Sequence, residues 1–239
     1  MDALETHLRR QIEHSRGFFW HRLRWKAVAR YLPAAGAFEI ADIGAGAGLL
    51  AELMQRDRPA GRYRFVEPIA SLEAHLEALH GAAANLEGSG PLRGIGYVAL
   101  LDVLEHQPDD RAFLSQLAAR MEPGSVLLLT VPALMALWSG WDVALGHCRR
   151  YDKASLRACF SGLPFRALEV SYLFPELIPP ALLRRLRMGT APPPDGSAEF
   201  PDLPAAVNDA LYFLGGFSLA LRRWSPAGSS LFAALQRTA

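Results

Sequence analysis

The chain has 239 residues, 51% of them apolar and 21% charged, with a formal net charge of +1. That balance suits a globular protein with a sizeable core and excludes a disordered chain, a collagen-like chain or a coiled coil. No overall basic field argues for nucleic acid, and two cysteines, Cys148 and Cys159, are too few for a disulfide framework or a four-thiolate zinc site.

Met1-Asp2-Ala3-Leu4-Glu5 starts polar, without the layout of a signal peptide. The longest apolar runs, Val126–Leu137 and Ala210–Leu221, are broken by Pro132 and by Gly215-Gly216. Neither reaches the ~20 residues that span a bilayer. A soluble, cytoplasmic protein is expected.

The first thirty residues carry apolar residues at helical spacing (Leu4, Leu8, Ile12, then Phe18, Phe19, Trp20, Leu23, Trp25 and Val28), with seven basic residues among them from Arg9 to Arg30. This predicts an amphipathic helix over residues 1–36. It either covers an apolar surface with its arginines in water or closes as a lid over a ligand. Phe38–Ile43 then reads as a strand, Leu49–Gln55 as a helix, Arg64–Val66 as a second strand and Ser71–Leu79 as a helix. A weak third strand is expected near Ala84–Glu87. Gly96–Leu101 is a strand, Asp110–Met121 a helix stopped by Pro123-Gly124, and Ser125–Val131 a strongly apolar strand. Strands without strict polar alternation are buried on both faces. Their alternation with helices predicts βαβ units and an α/β, doubly wound, mostly parallel sheet.

Beyond this core, Lys153–Phe160 reads as helix and Phe165–Tyr172 as strand. Residues 174–225 form a helical, proline-rich insertion, and 226–239 return as a final strand over Ser229–Leu235. The insertion carries apolar clusters (Leu177, Ile178, Leu182, Leu183, Leu186; Leu211, Tyr212, Phe213, Leu214, Phe217) beside Arg184, Arg185, Arg187, Arg222 and Arg223. The favoured reading buries the apolar faces and lets the arginines snorkel to water, giving a lid over an apolar pocket with residues 191–204 as its mobile edge. A peripheral membrane contact is the less favoured alternative.

The chemistry concentrates at Asp42-Ile43-Gly44-Ala45-Gly46-Ala47-Gly48-Leu49, between a strand and a helix. Glycines at alternate positions let a ligand approach the main chain. The helix start behind them offers free N–H groups and a positive dipole end. A dinucleotide fingerprint wants a glycine where Leu49 stands. At the tip of the second strand, Glu67, followed by Pro68, can accept hydrogen bonds from a ribose diol.

These residues resemble the first motif, and Glu67 the acidic residue, of the class I S-adenosylmethionine (SAM) dependent methyltransferases. Leu101-Asp102-Val103-Leu104-Glu105-His106 resembles the fourth-strand motif of the branch that includes the ubiquinone-type O-methyltransferases. Met121–Pro132 resembles the turn and fifth strand, and Gly146–Tyr151 a Gly-His-x-Arg-x-Tyr stretch. The resemblance implies a seven-stranded, Rossmann-like sheet with its last strand antiparallel, beside Phe165–Tyr172. It implies SAM as cofactor, S-adenosylhomocysteine as product and a small-molecule acceptor. It places Asp42, Gly44, Ala45, Gly46, Gly48, Glu67, Pro68, Leu101 and Asp102 around the cofactor, with Gly88 and Ser89 nearest the adenine.

For the acceptor's proton, His106 and His147 are the candidate bases. Asp102, Glu105 and His106 could together hold a divalent cation. The favoured reading assigns no metal: the two carboxylates cap the next turn and His106 lines the pocket. Trp138, Trp141, Arg149 and Arg150 are either packing and surface residues or acceptor contacts. Two other functions stay open, an NAD(P)-dependent oxidoreductase and a non-catalytic SAM-binding or regulatory subunit.

Overall fold

The computed structural model describes residues 3–14, 17–86, 88, 90–191 and 203–239. Glu87, Ser89 and most of the 191–204 connection therefore lie outside the described residues.

The N-terminal segment is two helices rather than one: α1 (Ala3–His14) and α2 (Phe19–Ala29). The core then runs β1 (Phe38–Ile43), α3 (Leu49–Asp57), β2 (Gly61–Val66), α4 (Ala70–His80), β3 (Tyr97–Leu101), α5 (Asp110–Arg120) and β4 (Val126–Pro132). A short α6 (Gly140–Ala144), α7 (Lys153–Phe160) and β5 (Phe165–Leu173) follow, then α8 (Ile178–Met188), α9 (Ala205–Leu221) and β6 (Ser230–Arg237).

Six strands form one sheet in the order β2-β1-β3-β4-β6-β5. The first four are parallel, and β6 runs antiparallel between β4 and β5. The final strand is thus antiparallel beside β5, as expected. Among the described residues the sheet has six strands rather than seven: residues 82–84 form a 3-10 turn, and Asn85 makes a single parallel bridge to Phe65. Three consecutive alanines favour a helical turn over a pleat, and the Asn85 amide is held by Glu73 and Glu77 of α4.

Side chains alternate across the strands with period two. Leu128 joins Ile40, Phe65 and Phe232 in a core layer shared with α2 and α3. Leu127 and Leu129 join Val98, Leu100 and Leu231 on the other face, with Leu114 of α5 and Leu156 of α7. Helices on both faces explain why the strands read as unbroken apolar runs. From β1 the chain moves outward to β2 and then returns to β3 on the opposite side. That reversal opens a crevice at the carboxyl ends of β1 and β3, where open α/β sheets bind ligands.

The insertion departs from expectation. On α8, Leu182, Leu183 and Leu186 are exposed, and no residue of the helix is buried. On α9, Phe213, Leu214 and Phe217 are exposed, while Gly215 and Leu219 face inward. Close packing on α2 requires Gly215, because a Cβ there would lie 2.3 Å from a Leu23 methyl. Among the described residues no helix is long and apolar enough to cross a membrane.

The carboxylate of Glu169 on β5 fastens this end of the chain to the sheet. It pairs with Arg222 (2.7 Å) and Arg223 (3.1 Å) and accepts hydrogen bonds from Tyr31 and Ser171. Burial raises its pKa, and these partners outweigh that, holding the carboxyl below its ordinary range. Removing one member of a buried pair typically costs about 3–5 kcal/mol. Glu169→Ala should therefore lose roughly that much stability in urea unfolding; a loss below about 1 kcal/mol would refute a buried pair. A depressed pKa means the contribution is present above the unfolded carboxyl range and fades as pH falls through the folded value. The gap between wild type and variant should narrow in acid.

Candidate active site

A cavity of about 660 Å³ opens over the crevice, walled by α1, α2, the loops after β1, β2 and β3, α6, α8 and α9. Its size falls in the range of small-molecule sites.

One end is built by the turn after β1. Gly44, Gly46 and Gly48 all have positive φ, which non-glycine residues adopt at a cost. A Cβ at Gly44 would sit 2.6 Å from Val103, so the β1 and β3 loops meet only because that Cβ is absent. Gly44, Ala45, Gly46 and Pro68 line the cavity. Gly48 is set back from it, capping α3 in a left-handed conformation against Leu76.

Glu67 is buried, its two oxygens accepting the backbone N–H of Gly46 (2.6 Å) and Ile69 (2.9 Å). Burial raises its pKa against those two hydrogen bonds. Each oxygen keeps a lone pair for a hydroxyl donor. Asp42 faces the cavity and accepts the Tyr63 hydroxyl (3.0 Å) rather than a loop amide. Burial pushes its pKa up to about 7. Leu101 and Asp102 line the same end. Asp102 has φ 58° and is ion-paired with Arg24 of α2, while its other oxygen accepts the Thr130 hydroxyl (3.2 Å). That pairing draws α2 over the crevice.

The other end gathers Glu105, His106, His147, Arg150 and Arg184, with Asp142 behind His147 and Arg150. Asp142 is fully buried: Oδ1 accepts from His147 Nδ1 (2.9 Å) and Arg150 Nε (2.7 Å), and Oδ2 from the Ser139 N–H (2.9 Å). Burial raises its pKa, but the His147 and Arg150 interactions prevail and keep it ionised. An ionised acceptor at Nδ1 makes that nitrogen the donor and leaves the Nε2 lone pair free. His147 Nε2 lies 4.0 Å from Glu105 Oε1, and the His106 and His147 rings meet edge to face at 4.8 Å. Burial holds the Glu105 pKa well above the carboxylate range, and neither of its oxygens has a hydrogen-bond partner among the described residues.

Donor atoms of Glu105, His106 and His147 lie within 4.8 Å of one another. The trio weighed from sequence does not assemble, since Asp102 turns to Arg24 and Thr130 and His147 stands in its place. The expected capping role of Glu105 is also corrected, as its carboxyl accepts no hydrogen bond. Arg149 leaves the cavity for Asp110 (2.9 Å) and the Pro108 carbonyl (2.7 Å). Trp141 lines the cavity; Trp138 does not. Sequence reading missed Asp142, whose signal was a Ser139-x-x-Asp142 capping box. It also missed Arg184, which resembles the surface arginines beside it.

The fold and site together define a class, and comparison with known proteins specifies it. A family model described as a methyltransferase domain matches residues 7–170. The chain belongs to that family, in the class I, SAM-dependent group. A curated relative, the ubiquinone biosynthesis O-methyltransferase of Bradyrhizobium sp. (strain ORS 278), is 30% identical over 128 residues, covering 51% of this chain and 50% of that protein. The chain thus aligns with about half the length of the curated relatives it matches. Among solved structures, a SAM-dependent methyltransferase from Archaeoglobus fulgidus superposes with a TM-score of 0.55 at 15% identity, covering 91% of this chain and 94% of that one. A phosphoethanolamine N-methyltransferase 2 from Haemonchus contortus, solved with phosphomonomethylethanolamine and S-adenosylhomocysteine, gives 0.58 at 15% identity, covering 91% and 53%.

Two outcomes test the glycine-turn end as a cofactor site. Glu67→Ala should weaken S-adenosylhomocysteine binding about ten- to a hundredfold by calorimetry, the loss of charge-assisted hydrogen bonds; unchanged affinity in a folded variant would remove Glu67 from the site. Asp42, with its raised folded pKa, makes the protein less stable as pH rises from its ordinary 3.8 to about 7, because the native state holds the proton longer. In Asp42→Asn that slope should flatten in melts of the unliganded protein.

Proposed function

We propose that the chain transfers a methyl group from SAM to a hydroxyl of a small, partly apolar acceptor, with His147 as general base. The observation that carries this reading is the buried Asp142–His147 pair, which presents Nε2 to the cavity that the glycine turn also lines. The residues at the other end fit SAM. A glycine cradle admits close approach, the Glu67 carboxylate can take a ribose diol, and the start of α3 offers N–H groups. Leu49, where a dinucleotide site has its third glycine, is a buried side chain at the cavity wall, which disfavours the NAD(P) reading.

SAM supplies a methyl group made electrophilic by its sulfonium. The chain's work is to orient and to move a proton. The apolar walls, Leu145, Leu177 and Leu211 among them, exclude water and hold the acceptor in line. His147 Nε2 takes the hydroxyl proton as the oxygen becomes a nucleophile. Asp142, ionised, stabilises the resulting imidazolium without taking the proton. A binding or regulatory subunit would need no such base, so the pair also favours an enzyme.

A thermal-shift panel tests the class: SAM and S-adenosylhomocysteine should raise the melting temperature, and NAD and NADP should not. The reverse pattern would overturn the assignment. For the mechanism, His147→Ala should lower kcat by about 10²–10⁴ with S-adenosylhomocysteine affinity unchanged, and Asp142→Asn should lower kcat more than it raises KM. Full kcat in a folded His147→Ala protein would rule out His147 as the base.

A further inference from the structure

Helix α8 is arranged inside out. Leu177, Pro180, Ala181 and Arg184, spaced i, i+3, i+4 and i+7, share the face that lines the cavity. Leu182, Leu183 and Leu186 on the opposite face are exposed. Hydrophobic burial would choose the other rotation, so the inward cation is not a by-product of packing. The three arginines of the helix separate by face: Arg185 donates to the Ala136 carbonyl, Arg187 is exposed and Arg184 alone turns in.

The Arg184 guanidinium stacks 4.3 Å over the Trp141 ring and pairs with no carboxylate among the described residues. Its neighbour Arg150 is committed to Asp142 and to the Ala133 carbonyl (3.2 Å). Both oxygens of Asp142 are taken, by His147, Arg150 and the Ser139 N–H. Arg184 thus shares a corner with a second guanidinium whose own partner, Asp142, is already engaged. Burial and the charge of Arg150 act against the Arg184 cation, and the Asp142 charge offsets them only in part, a position that an incoming anion would relieve.

We propose that Arg184, backed by Trp141 and beside Arg150, is the subsite for an anionic group, a carboxylate or phosphate, carried by the methyl acceptor. The proposal rests on the methyltransferase reading and names the substrate class for that site: a hydroxylated, partly apolar acid. Because Asp142 bridges Arg150 and His147, an acceptor held by its anion lies with its remaining body toward the base. Stacking on Trp141 leaves the guanidinium's edge free for a bidentate grip.

The test is calorimetric titration at low ionic strength, where charge attraction is least screened, on protein with and without S-adenosylhomocysteine. The probes are 3,4-dihydroxybenzoate, its methyl ester and phenyl phosphate. Both anions should bind at least tenfold tighter than the ester. Arg184→Gln should erase that preference with melting temperature and S-adenosylhomocysteine affinity unchanged, and Arg184→Lys should restore part of it. Equal binding of acid and ester, no anion binding, or a preference that survives Arg184→Gln would overturn the proposal. So would a tenfold loss of S-adenosylhomocysteine affinity in Arg184→Gln with the preference intact, which would give the guanidinium to the cofactor's own carboxylate. Anion binding through Arg184 without any affinity for S-adenosylhomocysteine would instead sink the methyltransferase reading and leave the anion site standing.

Discussion

Burying the Asp142 carboxylate costs several kcal/mol unless its lone pairs are taken, and the His147 end of the cavity is organised by the groups that take them. The Ser139 N–H fixes the start of α6, His147 fixes a tautomer, and Arg150 fixes the chain leading into Tyr151. These contacts lie within a dozen residues of one another in sequence, on the loop that follows β4. A local turn therefore builds this end of the cavity, and β4, buried along almost its whole length, holds that turn against the sheet.

The glycine-turn end follows a different principle. There the determinants are absent side chains: the missing Cβ of Gly44 lets the β1 loop touch Val103 after β3, and Glu67 closes on the backbone of Gly46. Two loops from strands on opposite sides of the topological reversal meet, which a sheet permits only at such a switch point. Arg24 ties α2 to the loop after β3 by pairing with Asp102. The N-terminal helices are part of the cavity wall, and α2 is held there by its own Phe19, Leu23 and Val28 in the core.

The core strands were legible because burial on both faces writes an unambiguous apolar run, and a glycine turn between strand and helix has few other uses. Glu67 was legible by its distance from that turn. What escaped reading depended on rotation or long-range pairing. Residues 84–87 carried too weak a pattern to separate a strand from a single bridge. Asp102 and Glu105 are three residues apart, yet the positive φ at Asp102 sends one carboxylate to Arg24 and leaves the other without a partner. Three arginines in the run Leu183–Met188 look alike in sequence, and only the anchoring of α8 decides which one faces the cavity.

That anchoring has an energetic consequence. α8 buries no residue, so little hydrophobic free energy fixes it to the rest of the molecule. Its C-terminal end is tied by the Gly140 N–H at the start of α6 to the Gly189 carbonyl (3.0 Å) and by Arg185 to the Ala136 carbonyl just before α6. Elements with few buried contacts open at the lowest free-energy cost. α8 is thus a less firmly held wall of the cavity, whereas the glycine turn and Glu67 follow directly on strands of the sheet.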